Sequence, residues 1–243
     1  MLASAARVIC VSEAVRRLVL AVPGTGLSPD RVVTVHNGID AGAFAPDRGA
    51  RDRFRAAHAI PGDAPVIAFI GSPSHRKGID LFLHAAIRLA DSHPAAHFVI
   101  AGGSDTEIAA LARDVVPERL APRVHFLGFV ADVRPVLWGS DILAMLSRCE
   151  PFARVNLEAS AAGCAVVATA VDGNTEIFED GINAAVIPPG DPDATVAALT
   201  RLVRDPALRA RLAAKARAGV ADRFTLAACH DRVAAILGEA GLR

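Results

Sequence analysis

An excess of charge of either sign is missing: 26 basic and 26 acidic side chains cancel over 243 residues. Proteins that wrap nucleic acid carry a basic excess to meet phosphate, so that class of partner is not expected. No apolar run approaches the roughly 18 residues of a membrane span. Residues 1–6 are uncharged, and the next apolar run, Val8–Val11, is too short for a signal-peptide core. A transmembrane segment is thereby excluded, and only peripheral contact with a membrane stays open. Cysteine is scarce and scattered. Cys10, Cys149, Cys164 and Cys229 form no C-x-x-C pair, which argues against a zinc site or a disulfide framework. Their apolar surroundings predict small buried thiols in a reducing compartment, the cytoplasm. No G-x-x-x-x-G-K-S/T is present, so a Walker-type phosphate loop is excluded. There is no tandem repeat and no low-complexity segment.

What remains is 52% hydrophobic and 21% charged, the composition of a folded chain rather than a disordered one. Short β-branched runs alternate with longer helical patterns. Strands are expected at Val8–Val11, Val32–Val35, Val66–Ile70, Phe98–Ala101, Val124–Leu127, Ile142–Leu146, Val166–Ala168 and Ala185–Ile187. Helices are expected from Ser12 to Val22, Arg51 to His58, Asp80 to Ala90, near Glu107, Asp132 to Trp138, Val155 to Ala162, Ala194 to Val203, Pro206 to Ala218 and Leu226 to Leu237. Continuous apolar strands with helical crossovers define an α/β fold, a doubly wound, Rossmann-like parallel sheet covered on both faces. Ligands of such sheets bind beyond the carboxyl ends of the strands. The loops after the strands are therefore where chemistry is sought.

Two of those loops stand out. Gly71-Ser72-Pro73-Ser74-His75-Arg76-Lys77-Gly78 follows a strand and opens a helix. Two cations beside a helix N-terminus, whose dipole already favours anions, suit a diphosphate. A solvated basic turn accounts for the same residues. The second loop, Ser147 to Glu158, follows another strand; Glu150 lies in it and Glu158 about one turn inside the next helix. The amides from Phe152 to Val155 are expected to face the crevice, an anion site flanked by two carboxylates that can accept from sugar or ribose hydroxyls. Glu158 alone is equally read as a first-turn glutamate that stabilises its own helix dipole.

Other polar features carry less. Asp191-Pro192-Asp193 fits D-x-D formally but stands at a helix start, where aspartates cap, so no metal is expected. His75 is read as a surface residue beside the phosphate loop, and His36 and His125 show no ligand spacing. Trp138 is read as core.

Glu150-Pro151-Phe152 with Glu158 eight residues after Glu150, followed by Ala159 to Gly163, resembles the paired-glutamate segment of family 4 retaining glycosyltransferases of the GT-B fold. Other landmarks match in order: Val11-Ser12-Glu13, His36 to Asp40, Lys77-Gly78, Val124 to Val130, Asp172-Gly173 with Glu176, and Asp180 to Asn183. The resemblance covers nearly the whole chain. It implies that Lys77 holds the donor diphosphate and that Glu150 contacts the transferred sugar, making these the catalytic pair. Glu158 would bind the ribose. The amides of Phe152, Ala153, Arg154 and Val155 would meet sugar hydroxyls and phosphate, and Phe129 and Val130 would border the base pocket through their backbone. Gly71, Ser72 and Arg76 complete the expected nucleotide-sugar site. The family usually has an arginine at the position of Ser72 and a glycine at that of Ala153.

The resemblance further implies that residues 1–45 match the end of an N-terminal Rossmann domain and its linker, and 46–243 the donor-binding domain with C-terminal helices. Function is then expected to be transfer of a sugar, with retention, from a UDP- or GDP-type donor to an unidentified acceptor. No cofactor is expected. An N-terminal-domain chain or a homodimer is the expected partner, since Val8–Val11 and Val32–Val35 leave strand edges. A sugar-nucleotide-binding module without transferase activity is the alternative.

Overall fold

The structure, a computed structural model, describes residues 5–239 and Gly241. Residues 1–4, 240, 242 and 243, which the expected segments 1–45 and 46–243 include, lie outside the described residues. Two strands open the chain, β1 (Val8–Cys10) and β2 (Val32–Thr34), joined through α1 (Glu13–Ala21). After α2 (Arg48–Ala57) comes a regular alternation: β3 (Val66–Ile70), α3 (Ile79–Ser92), β4 (His97–Ala101), α4 (Asp105–Asp114), β5 (Val124–Gly128), α5 (Arg134–Gly139), β6 (Ile142–Met145), α6 (Arg154–Ala161), β7 (Ala165–Thr169), α7 (Asn174–Ile177) and β8 (Ala185–Ile187). Three helices follow, α8 (Pro192–Arg204), α9 (Pro206–Arg223) and α10 (Leu226–Glu239).

The strands from β3 to β8 form one six-stranded sheet in the order β5-β4-β3-β6-β7-β8, and every pairing is parallel. Strand side chains alternate between faces, and here both faces are covered. Ile67, Phe69, Ile142 and Val167 pack with Phe82, Leu89, Leu199 and Leu202 of α3 and α8. On the other face Leu143, Met145 and Val166 pack with Leu137 and Leu157 of α5 and α6, and Val66, Ala68 and Val99 with Phe54 and Val136. Full burial of such a side chain contributes about 1.5–3 kcal/mol. The expected doubly wound sheet is the observed one. The order reverses between β3 and β6, so the crevice opens between the loops that leave these two strands.

β1 and β2 pair with each other in parallel as a separate two-stranded sheet. The Glu176 carboxylate ties this unit to the larger one: it accepts from the amides of Glu13 (3.0 Å) and Ala14 (2.9 Å) at the start of α1 and lies 2.7 Å from His36 Nε2. The linker is held at Ile39, whose amide donates to Phe224 O (3.0 Å) and whose carbonyl accepts from Leu226 N (3.1 Å).

Candidate functional site

The two loops at the order reversal touch backbone to backbone. Gly78 has φ +79°, and a Cβ there would lie 2.2 Å from Leu146 O, so no other residue fits without moving the strand end. Arg148 N donates to Arg76 O (2.8 Å), and Arg76 Nη1 donates to Cys149 O (3.2 Å). The Arg148 guanidinium makes two bonds to Asp80 (2.9 and 2.7 Å) and one to His75 O (2.5 Å). This bracing brings Lys77 Nζ to 2.5 Å from Glu150 Oε2, with side chains 19% and 8% exposed. Ser147 Oγ donates to the same carboxylate oxygen (3.3 Å). The two residues expected to form the catalytic pair are therefore in contact, 73 positions apart in sequence.

A third loop, after β7, fixes the backbone of Glu150. Its amide donates to Asp172 Oδ2 (3.1 Å), and its carbonyl accepts from Gly173 N (3.1 Å). A Cβ on Gly173 would stand 2.1 Å from Pro151 O, so this clamp also requires glycine. Asp172 itself adopts a positive φ of 37°, a conformation that aspartate tolerates better than most residues. Cys149 is exposed rather than buried. The strand has ended and the loop turns outward between two charged neighbours. A hydrogen bond with Asp172, aided by burial, raises its thiol above the usual range. Cys10 and Cys164 are buried as expected, and Cys229 is half-buried.

The helix after this loop carries the second acid. Arg154 Nη2 is 3.5 Å from Glu158 Oε1, with side chains 64% and 12% exposed. Burial raises the Glu158 carboxyl above its usual range, and Arg154 offsets this only in part. Ala153 precedes the helix at φ −75°, ψ 115°, an ordinary extended conformation that accepts its Cβ. The rings and side chains of Phe152, Ala153 and Val155 pack in the core, which leaves their backbone for the crevice. Most longer helices are capped by a side chain: Ser12, Asp47, Ser104, Asp191, Asp205 and Thr225 accept from the first turns of α1, α2, α4, α8, α9 and α10. The two that open on the crevice, α3 and α6, have no such cap. In α6 the amides of Arg154 and Val155 have no partner among the described residues and remain available to an anion, whereas Ile79 N at the start of α3 donates to Ser74 O (3.4 Å) and Asn156 N to Ala153 O (3.1 Å).

Beside the first loop lies a cavity of about 340 Å³ lined by Ile70, Gly71, Ser72, Ala101, Gly102, Gly103, Phe129, Val130 and Val133. Its walls are mostly apolar. Phe129 is 82% exposed at its mouth, a conspicuous position for a large aromatic ring. The expected residues Gly71, Ser72, Phe129 and Val130 thus share one cavity at the carboxyl ends of β3, β4 and β5.

Sequence reasoning missed four residues that build the site or its support. Arg148 and Asp80 brace the loops, Asp172 holds Glu150, and Glu176 joins the two units. Burial pushes the Glu176 carboxyl up, but the Glu13 amide, His36 and the Ala14 amide together bring it below the usual range. His36 also stacks on Phe152, ring centres 5.0 Å apart. Asp172 and Glu176 appeared in the sequence only as a landmark of the resemblance, with no role attached; Arg148 and Asp80 carried no signal of their pairing. Asp191 caps α8 (Oδ1 to Ala194 N, 2.9 Å) as expected. Trp138 is half-buried rather than core: its Nε1 donates to Phe44 O (3.2 Å), and Arg134 lies over its ring at 5.9 Å.

A doubly wound parallel sheet with the Lys77–Glu150 pair at its switch point defines an α/β, Rossmann-like architecture. Residues 50–219 match the family model of glycosyl transferases group 1, and the chain belongs to that family. It is 34% identical over 203 residues to a D-inositol 3-phosphate glycosyltransferase of Mycolicibacterium paratuberculosis, covering 81% of this chain and 45% of the relative. It is 34% identical over 178 residues to the lipopolysaccharide core biosynthesis mannosyltransferase LpcC of Rhizobium leguminosarum, covering 72% and 50%. The chain spans about half the length of the curated relatives it matches. Among solved structures it resembles Anabaena HepE in complex with UDP-glucose, with TM-score 0.86 and 25% identity, covering 97% of this chain and 64% of the other. The fold is the GT-B glycosyltransferase fold. No helix among the described residues is long and apolar enough to cross a membrane.

Proposed function

We propose that this chain is the donor-binding half of a retaining glycosyltransferase that takes a hexose from a UDP- or GDP-type donor. The observation that carries the reading is the contact of Lys77 with Glu150 between the uncapped starts of α3 and α6. The base enters the cavity bordered by Phe129 and Val130. The diphosphate lies between Lys77 and the free amides of Arg154 and Val155 at the start of α6, with Arg76 at the rim. The ribose meets Glu158. Glu150, released from Lys77 by the incoming phosphate, faces the hydroxyls of the transferred sugar. Lys77 then stabilises the charge that develops on the diphosphate as the glycosidic bond breaks. One such preorganised donor contributes about 3 kcal/mol to barrier lowering.

Residues 1–45 form, in this reading, the end of an acceptor-binding Rossmann unit with its linker, and 46–243 the donor unit. The relative that binds UDP-glucose and the relatives named as transferases support the donor class. The free thiols support a reducing, cytoplasmic setting. The acceptor side belongs to an N-terminal Rossmann domain, on the same polypeptide or on a separate chain.

A thermal-shift screen of UDP-, GDP- and ADP-sugars tests the reading, since a ligand at about a hundred times its Kd adds roughly 2.7 kcal/mol of apparent stability. One class of nucleotide sugar is expected to raise Tm clearly. If none does, the donor assignment is wrong. A transfer assay with and without a candidate N-terminal-domain chain then separates a transferase from a binding module.

A further inference from the structure

Arg154 breaks two local rules. It is the first residue of α6, where the helix dipole is positive and a cation is disfavoured. Its partner Glu158 follows it by four residues, and an arginine N-terminal to a glutamate is the weaker order for such a pair. The guanidinium is also 64% exposed, so the pair itself adds little to folding. The fold gives Arg154 small reason to be there. A polyanion arriving at the start of α6 would give it a large one.

Glu158 presents the complementary problem. It is 12% exposed, and Arg154 is its only hydrogen-bond or ion-pair partner among the described residues. A mostly buried carboxylate with one distant partner is well placed to accept from two vicinal hydroxyls. Lys77 rests on Glu150 and Arg154 on Glu158, whereas the Arg76 side chain is held, among the described residues, only by Cys149 O. A diphosphate that recruits Lys77 or Arg154 must take it from the carboxylate that was holding it. Lys77 is close-paired and only 19% exposed; Arg154 is the loosely held one.

We propose that Arg154 is an exchangeable diphosphate ligand: it rests on Glu158 in the free protein and passes to the diphosphate of the nucleotide, freeing Glu158 for the ribose. The inference rests on the donor-site reading above and goes beyond its backbone role for Arg154. The consequence is that the two ends of the nucleotide help each other. A nucleoside alone must displace Arg154 with nothing to receive it. Inorganic diphosphate alone must pull Arg154 off an acid that nothing then satisfies. A nucleoside diphosphate does both at once.

Calorimetric titration of UDP, uridine and inorganic diphosphate, with GDP and guanosine in parallel, into the wild type, Arg154→Met and Glu158→Gln tests this. Arg154→Met is expected to weaken the nucleoside diphosphate about tenfold or more, the size of one charge-assisted hydrogen bond, while nucleoside affinity holds or rises. Glu158→Gln is expected to strengthen inorganic diphosphate several-fold, because Arg154 is released, and to weaken the nucleoside. The proposal is overturned if Arg154→Met leaves nucleoside diphosphate affinity unchanged, or weakens nucleoside and nucleoside diphosphate equally, as a merely structural role would. It is overturned too if Glu158→Gln leaves inorganic diphosphate affinity unchanged or weakens it. If the wild type binds neither UDP nor GDP, the donor-site reading fails and the proposal with it. If the wild type binds and only the variants disagree, the reading stands and the proposal alone falls.

Discussion

Both ends of the six-stranded sheet bury paired charges, and the two ends treat them oppositely. At the amino ends, Arg55 is 2% exposed and donates five hydrogen bonds: to Gly139 O, Pro61 O, Gly62 O, Ala64 O and Asp141 Oδ2, all between 2.8 and 3.0 Å. Asp141 also accepts from Arg51 Nη2 (2.8 Å) and from the amide of Val66 at the start of β3 (2.8 Å). All three guanidinium nitrogens donate. At the carboxyl ends, Glu158 has one partner at 3.5 Å, and the helix starts beside Lys77 are uncapped. A saturated network holds the fold; an unsaturated one waits for a ligand. Cavity size does not separate the ends. A cavity of about 300 Å³ lies at the amino ends among Arg48, Arg51, Trp138, Asp141 and Arg209, close in size to that beside Phe129. There Arg51 and Asp141 are already spent on each other.

The contrast breaks first at Arg55. Arg55→Met leaves four carbonyls without this donor and Asp141 with only Arg51 and the Val66 amide, and removing one partner of a buried pair costs about 3–5 kcal/mol. Thermal unfolding reads this directly, as a Tm loss of roughly 10 °C. An unchanged midpoint would mean that the network is ornamental. Lys77→Ala is the opposite case. It should slow transfer by about 10²–10³, or abolish nucleotide binding in this chain alone, while costing less stability than Arg55→Met, because Glu150 keeps the Ser147 hydroxyl as a donor.

Acid sharpens the contrast. His125 lies against His97 (Nε2 to Nδ1, 2.9 Å) and near His58 at the amino ends, with Arg55 and Arg123 acting on His97. Burial, with His97 and His58, pushes His125 down to about 4. The unfolded chain therefore takes up the proton first, near the ordinary value of about 6.5. The stability due to neutral His125 is full above that pH and is lost as pH falls from about 6.5 towards 4. After discounting for partial exposure the loss is roughly 2 kcal/mol. Urea unfolding across this window is expected to flatten in His125→Gln; an identical slope would reject the assignment.

The smallest effect is at Glu158. Its carboxyl is raised in the folded state, so the group favours folding below its unfolded value and that contribution is lost as pH rises through the folded value. Glu158→Gln should therefore stabilise the chain at neutral pH, by less than about 1 kcal/mol. Destabilisation would show instead that the pair with Arg154 supports α6.

Much of this was legible in the chain. The strands were plain because a sheet covered on both faces makes each one a continuous apolar run, as in Val66–Ile70. Lys77, Glu150 and Glu158 were singled out because strand-end loops are few and these carry the charge, and their expected roles came from the family resemblance. What stayed hidden depends on distance along the chain. Nothing local pairs Arg148 with Asp80 or His36 with Glu176, and α7, at four residues, is too short to show a period. α2 begins earlier than expected because Asp47 caps it through Ala50 N (2.9 Å), in a stretch that reads as loop. Cys149 was placed in the core on residue type alone, against the evidence of its charged neighbours.

The central claim is that the unsaturated end of the sheet receives a diphosphate. A crystal structure of the chain with UDP-glucose, or with GDP-mannose, tests it most directly. The account predicts phosphate oxygens within about 3 Å of Lys77 Nζ and of the first amides of α6, with the Lys77–Glu150 contact opened. A nucleotide seated in the cavity beside Trp138, with the Lys77–Glu150 pair intact, would contradict it.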